Sequence, residues 1–74
     1  MKTDKITITT DYIKLDQLLK FSGMAENGAM AKEMILEGIV LFNGEVCKMR
    51  GKKVRPGDEV TIEFEDEEYK IILE

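Results

Sequence analysis

Asn43-Gly44 constrains this chain more than any other feature of its sequence. Both residues tolerate positive φ, which a two-residue hairpin turn requires. Ile39-Val40-Leu41-Phe42 precedes the pair and Glu45-Val46-Cys47 follows it, so an antiparallel hairpin is predicted there. The chain has 74 residues, room for one domain spanning 1–74. A domain that small buries only about 60% of the surface its unfolded chain exposes. Every amphipathic segment must therefore share one core with the hairpin.

Periodicity supplies the other elements. Lys5 to Thr9 alternates Ile6 and Ile8 with polar residues, which predicts a short, half-buried edge strand. Leu15, Leu18 and Leu19, with Ser22 next on the same face, predict a helix over 15–22. Lys14 is a poor cap for it, Asp16 in the first turn partly compensates through the helix dipole, and Gly23 suits its end. A second helix starts at Asn27, a good N-cap, buries Ala31, Met34 and Ile35, and ends at Gly38. The small Ala31 lets the two helices approach closely as a hairpin. Arg55-Pro56-Gly57-Asp58 reads as a turn, Val60, Ile62 and Phe64 mark a strand, Glu65-Asp66-Glu67 turns the chain, and Tyr69 to Leu73 is the last strand. The order is β-α-α-β-β-β-β. The predicted fold class is α+β, a helical hairpin packed on a small antiparallel sheet.

Several function classes are disfavoured by what the sequence lacks. A single Cys47 excludes an internal disulfide, and with no His it excludes a zinc site of four Cys or His ligands. The commonest general base is missing too, and no nucleophile-and-base motif is present. No enzyme activity, cofactor, metal or small-molecule substrate is expected. No apolar run approaches the roughly 20 residues that span a bilayer, and the N-terminal residues do not resemble a signal peptide. The expected location is cytoplasmic, with no membrane partner.

The net charge of −4 hides an uneven distribution. Residues 1–55 carry +3 and residues 56–74 carry −7. Lys48, Arg50, Lys52, Lys53 and Arg55 fall within eight residues with no acid between them. Clustering of this kind attracts a polyanion whatever the net charge. The segment is expected to be a mobile, solvated loop, and the plainer alternative is that this loop has no partner. At Asn27-Gly28, the free amides of a helix N-terminus favour an anion, Gly28 leaves the backbone open to a phosphate, and Lys32 lies one turn further on. The alternative there is an ordinary capped helix. Tyr12, Phe21, Phe42, Phe64 and Tyr69 read as core or sheet-packing residues, and Cys47 as a small packing residue.

From Lys14 to Ile62 the sequence resembles the S4-type RNA-binding domain. Lys14-Leu15-Asp16, Leu19, Gly23, Ala31, Ile35 and Gly38 fit the family's helices. Val40-Leu41-Phe42-Asn43-Gly44 resembles its strand and turn, and Gly57-Asp58-Glu59-Val60 its closing strand. Gly28-Ala29-Met30-Ala31-Lys32 and Arg50-Gly51-Lys52-Lys53 are similar to runs in small stand-alone bacterial members. Larger members often carry Ser-Arg where this chain has Asn27-Gly28. The resemblance implies a motif core at 14–62 that grips structured RNA through the helix hairpin and the adjacent basic loop. It extends to ribosomal RNA and to association with the ribosome or a ribosomal precursor, with transfer and messenger RNA also open. The residues it assigns are Lys14, Asn27, Gly28, Lys32, Lys48, Arg50, Lys52, Lys53 and Arg55.

Other readings compete. An adaptor could bind a basic protein through the acidic C-terminal strands without touching RNA. A ubiquitin-like sulfur carrier would need a Gly-Gly tail, and this chain ends Ile71-Ile72-Leu73-Glu74. Membrane attachment through residues 48–55 lacks an accompanying basic amphipathic helix.

Overall fold

A computed structural model describes residues 2–74. The chain runs β1 (Lys2–Ile6), β2 (Ile13–Lys14), α1 (Leu15–Phe21), α2 (Gly28–Leu36), β3 (Val40–Phe42), β4 (Glu45–Val46), β5 (Lys53–Val54), β6 (Glu59–Glu63) and β7 (Glu68–Leu73). Five strands form one sheet in the order β1-β7-β6-β3-β4, and β2 pairs with β5 in a separate two-stranded ladder.

The sheet follows a period of two. Val40 pairs with Ile62, Phe42 with Val60, and Val60 with Ile71. Val40, Val60, Ile62, Ile71 and Leu73 are buried on one face, while Glu59 and Lys70 form an ion pair at 3.6 Å on the other. The two helices cover the apolar face. Leu15, Leu18 and Leu19 of α1 and Ala31, Met34 and Ile35 of α2 join the sheet residues in one cluster. Burying an aliphatic side chain of this size contributes about 1.5–3 kcal/mol relative to exposure.

Two turns hold the frame to its register. Asn43 and Gly44 have φ of 49° and 90°, the left-handed pair that a tight hairpin of matching twist needs. Asn43 also ties the hairpin to β6: its Oδ1 accepts from the Glu59 amide at 2.8 Å, and its Nδ2 donates to Asp58 Oδ1 at 3.1 Å. At the end of α2, Gly38 has φ of 80° and its amide donates to the Ile35 carbonyl. A side chain at that φ would be strained.

Four expectations are corrected. The order is β-β-α-α-β-β-β-β-β rather than β-α-α-β-β-β-β, because the two-residue strands β2 and β5 pair with each other. The sheet is mixed rather than antiparallel, because β1 runs parallel to β7 with Lys2 opposite Tyr69 and Ile6 opposite Leu73. Alternation reports a half-buried strand but not its direction. The first strand is Lys2–Ile6 rather than Lys5–Thr9, since its ladder with β7 runs from Lys2–Tyr69 to Ile6–Leu73 and residues 7–12 connect it to β2. Finally, α1 ends one residue early. Ser22 serves as its C-cap, with its hydroxyl donating to the Leu19 carbonyl at 3.0 Å.

Candidate nucleic-acid interface

Lys14 precedes α1 in extended backbone and its side chain makes no capping bond. The first amides of a helix need partners from elsewhere. Here the basic segment supplies them. The Leu15 amide donates to the Lys52 carbonyl at 2.8 Å and the Asp16 amide to the Arg50 carbonyl at 3.0 Å. One residue back, the β2–β5 ladder pairs Lys14 with Lys53 and Ile13 with Val54, and Val54 is fully buried. The expected mobile loop is therefore an anchored one, held through residues 50 and 52–54. A two-residue ladder carries no readable alternation, and side chains do not disclose which carbonyls cap a helix.

The anchoring brings Lys14, Arg50, Lys52, Lys53 and Arg55 to the start of α1. Among the described residues, Lys70–Glu59 is the one salt bridge, so none of these five side chains is paired with a carboxylate. The acids nearest in sequence are turned to backbone. Asp58 Oδ2 accepts from the Arg55 amide at 2.8 Å, and Asp16 Oδ1 from the Gln17 amide at 2.8 Å. Three of the cations lie against aromatic rings instead. Lys52 Nζ is 4.9 Å from the Phe42 ring centroid, Lys53 Nζ is 4.9 Å from that of Tyr12, and Arg55 Cζ is 5.8 Å from that of Tyr12.

The remaining assigned residues sit along α2. Asn27 is its N-cap: Oδ1 accepts from the Met30 amide at 2.8 Å, and its carbonyl accepts from the Ala31 amide. The Asn27 side chain is thus committed to capping, as in an ordinary helix start. A Cβ at Gly28 would meet nothing within 4 Å, so packing does not demand glycine there. Lys32 is exposed one turn on. Among the described residues, no hydrogen bond or strand pairing joins Asn27, Gly28 or Lys32 to residues 48–55. Lys48 lies at the other end of α2, its Cε 3.6 Å from where a Cβ of Gly38 would be.

The aromatic residues depart from expectation. Tyr12, Phe21 and Phe64 are 36%, 65% and 46% exposed, and only Phe42 and Tyr69 pack against the core. Tyr12 and Phe42, the rings beneath three cations of the candidate site, are residues that the sequence reading did not connect with it. Their one signal was Tyr12 standing two residues before Lys14, and Phe42 next to the hairpin turn, which says nothing of what lies over the rings. Cys47 is half-buried and packs against the core, as expected.

Comparison with known proteins places this geometry. The sequence model of the S4 domain matches residues 6–72, more than the 14–62 marked by the motifs. The chain belongs to the S4 domain family. It is 43% identical over 58 residues to the "Probable ribosome maturation protein RlbA" of Bacillus subtilis (strain 168), covering 78% of this chain and 82% of that protein. It is 36% identical over 52 residues to the "RQC P-site tRNA stabilizing factor" of the same organism, covering 70% of this chain but only 59% of that one. The solved structure of Vibrio cholerae Heat Shock Protein 15, described as trimeric, superposes with a TM-score of 0.73 at 28% identity, over 85% of this chain and 63% of that one. Its likeness, with the helix pair on a small mixed sheet, identifies the fold as S4-like. No helix among the described residues is long and apolar enough to cross a membrane.

Proposed function

We propose that this S4-domain chain binds structured RNA, with ribosomal RNA or an RNA held on the ribosome as its target. Lys14, Arg50, Lys52, Lys53 and Arg55 meet phosphates at the start of α1. Lys32 and Lys48 extend the track along α2, and Asn27-Gly28 presents open backbone. The observation that carries this reading is the set of five cations on anchored backbone with no carboxylate partner. Charge held without neutralisation is what a polyanion site requires. Arg supplies bidentate phosphate contacts and Lys point charges. Duplex RNA is read through its shape, phosphates and 2′-hydroxyls, so basic side chains on a rigid frame are sufficient. The names of the two bacillary relatives, one for ribosome maturation and one for P-site tRNA, support a ribosome-directed target and a cytoplasmic role. The role is binding and positioning rather than catalysis.

A binding titration over several salt concentrations tests the proposal. Contacts to about four to six phosphates give a slope of log affinity against log salt of magnitude roughly three to five. A flat response, or no binding at low salt, overturns the RNA reading and favours an adaptor that uses the acidic C-terminal strands.

A further inference from the structure

We infer that Tyr12 and Phe42 are positioning residues for the RNA interface, holding Lys53, Arg55 and Lys52 in place while leaving their charge intact. The inference rests on the RNA reading above and deepens it. A free Lys or Arg side chain loses much rotamer freedom when it settles on a phosphate. A partner that orders it beforehand lowers that cost. A carboxylate would order it but cancel its charge. An aromatic ring attracts a cation through its quadrupole and carries no net charge. This site uses rings. Three of the five cations lie over Tyr12 or Phe42, and none is in a salt bridge among the described residues. Tyr12 is more than one third exposed and lies outside the buried core cluster, so core packing does not account for an aromatic residue there. It stands next to Ile13 of the β2–β5 ladder, which sets the ring beside Lys53 and Arg55.

The ring, rather than its hydroxyl or bulk, is the active part. Tyr12→Phe keeps the quadrupole, and Tyr12→Leu keeps apolar bulk without it. With a fluorescently labelled RNA hairpin at fixed salt, Tyr12→Phe should bind like the wild type. Tyr12→Leu should bind about threefold to tenfold more weakly, the scale of one or two cation–π contacts. Both variants should stay folded at the temperature of the titration, Tyr12→Leu with a modestly lower denaturation midpoint because two ring contacts are lost. In the free protein, proton NMR should show upfield ring-current shifts for the side chains of Lys53 and Arg55, lost in Tyr12→Leu. Equal binding by Tyr12→Leu and wild type overturns the inference alone, as does an equal loss in Tyr12→Phe. Failure of the wild type to bind the hairpin at low salt overturns the RNA reading and this inference with it.

Discussion

The amide of Leu15 donates to the carbonyl of Lys52 across 2.8 Å, so the first turn of α1 is capped by the backbone of the basic segment. This contact joins a buried residue to a charged one. Leu15 is fully buried on the sheet side of α1, and Lys52 extends its ammonium over Phe42. Backbone hydrogen bonds join the helix start, the ladder and the basic segment. Substituting a side chain in this segment removes charge, while the capping carbonyls remain.

That separation sets the first prediction. Arg50→Ala should cost under about 0.5 kcal/mol of stability, because its exposed side chain has no partner among the described residues. Lys52→Ala should cost up to about 1 kcal/mol, since it also loses the contact with Phe42. Each should lower the salt slope of RNA binding by about one unit. Denaturant melts beside salt titrations measure both quantities. A variant that unfolds, or one that leaves RNA affinity unchanged, contradicts the assignment of this segment.

The form of the RNA is the second prediction. Tyr12 and Phe42 each already hold the chain's own cations, which leaves less of either ring for base stacking. An RNA hairpin should therefore compete better than a poly-pyrimidine strand of equal length. Equal competition would show that bases, not duplex shape, are being read.

Much of the fold was legible because it rests on local signals. Leu15, Leu18 and Leu19 fall at helical spacing, Asn27 is a cap by chemistry, and Asn43-Gly44 encodes its turn in two residues. Three features were not legible, each for a physical reason. The parallel pairing of β1 with β7 joins opposite ends of the chain, and an alternating strand looks the same in either direction. The β2–β5 ladder is two residues long, below any readable period. The cations over Tyr12 and Phe42 depend on that ladder and on the capping bonds of α1, which side-chain identity does not specify. The charge of the basic segment could be read from sequence; its backbone anchoring could not.

Ala31 supports a third prediction. It is fully buried in the core cluster to which both α1 and α2 contribute. Ala31→Leu inserts bulk where the helices meet, and overpacking costs about 1–3 kcal/mol. The melting midpoint should fall, and RNA binding should weaken through disorder of the helix pair although every basic residue is kept. A normal melt would mean that the helix interface has room to spare.

A fourth concerns Asn43, which does three jobs: it adopts φ of 49°, accepts from the Glu59 amide and donates to Asp58. Asn43→Ala removes both side-chain bonds and places a residue ill suited to the left-handed region. Destabilisation of about 1–3 kcal/mol is expected. Asn43→Asp keeps an acceptor for the Glu59 amide but puts a carboxylate beside Asp58, so it should fall between wild type and Asn43→Ala. Urea titration of the three proteins checks the order.

The last prediction uses the closure of β1 on β7. The hydroxyl of Tyr69 on β7 donates to Asp4 Oδ2 on β1. That bond, then burial, then the negative charge of Asp4, push the Tyr69 hydroxyl from 10.0 up to about 12. The folded state therefore favours the protonated phenol. Its contribution to stability is fully present below pH 10, where the unfolded chain's tyrosine is also protonated, and is lost as pH rises through about 12. Ultraviolet titration should show one tyrosine ionising late, and Asp4→Asn should return it towards 10.0 by removing the carboxylate charge. The denaturation midpoint of the wild type should decline more steeply between pH 10 and about 12 than that of Asp4→Asn. Parallel declines in the two proteins would mean that the phenol and the carboxylate are not coupled. In that case β1 is held to the sheet by its backbone ladder and the packing of Ile6.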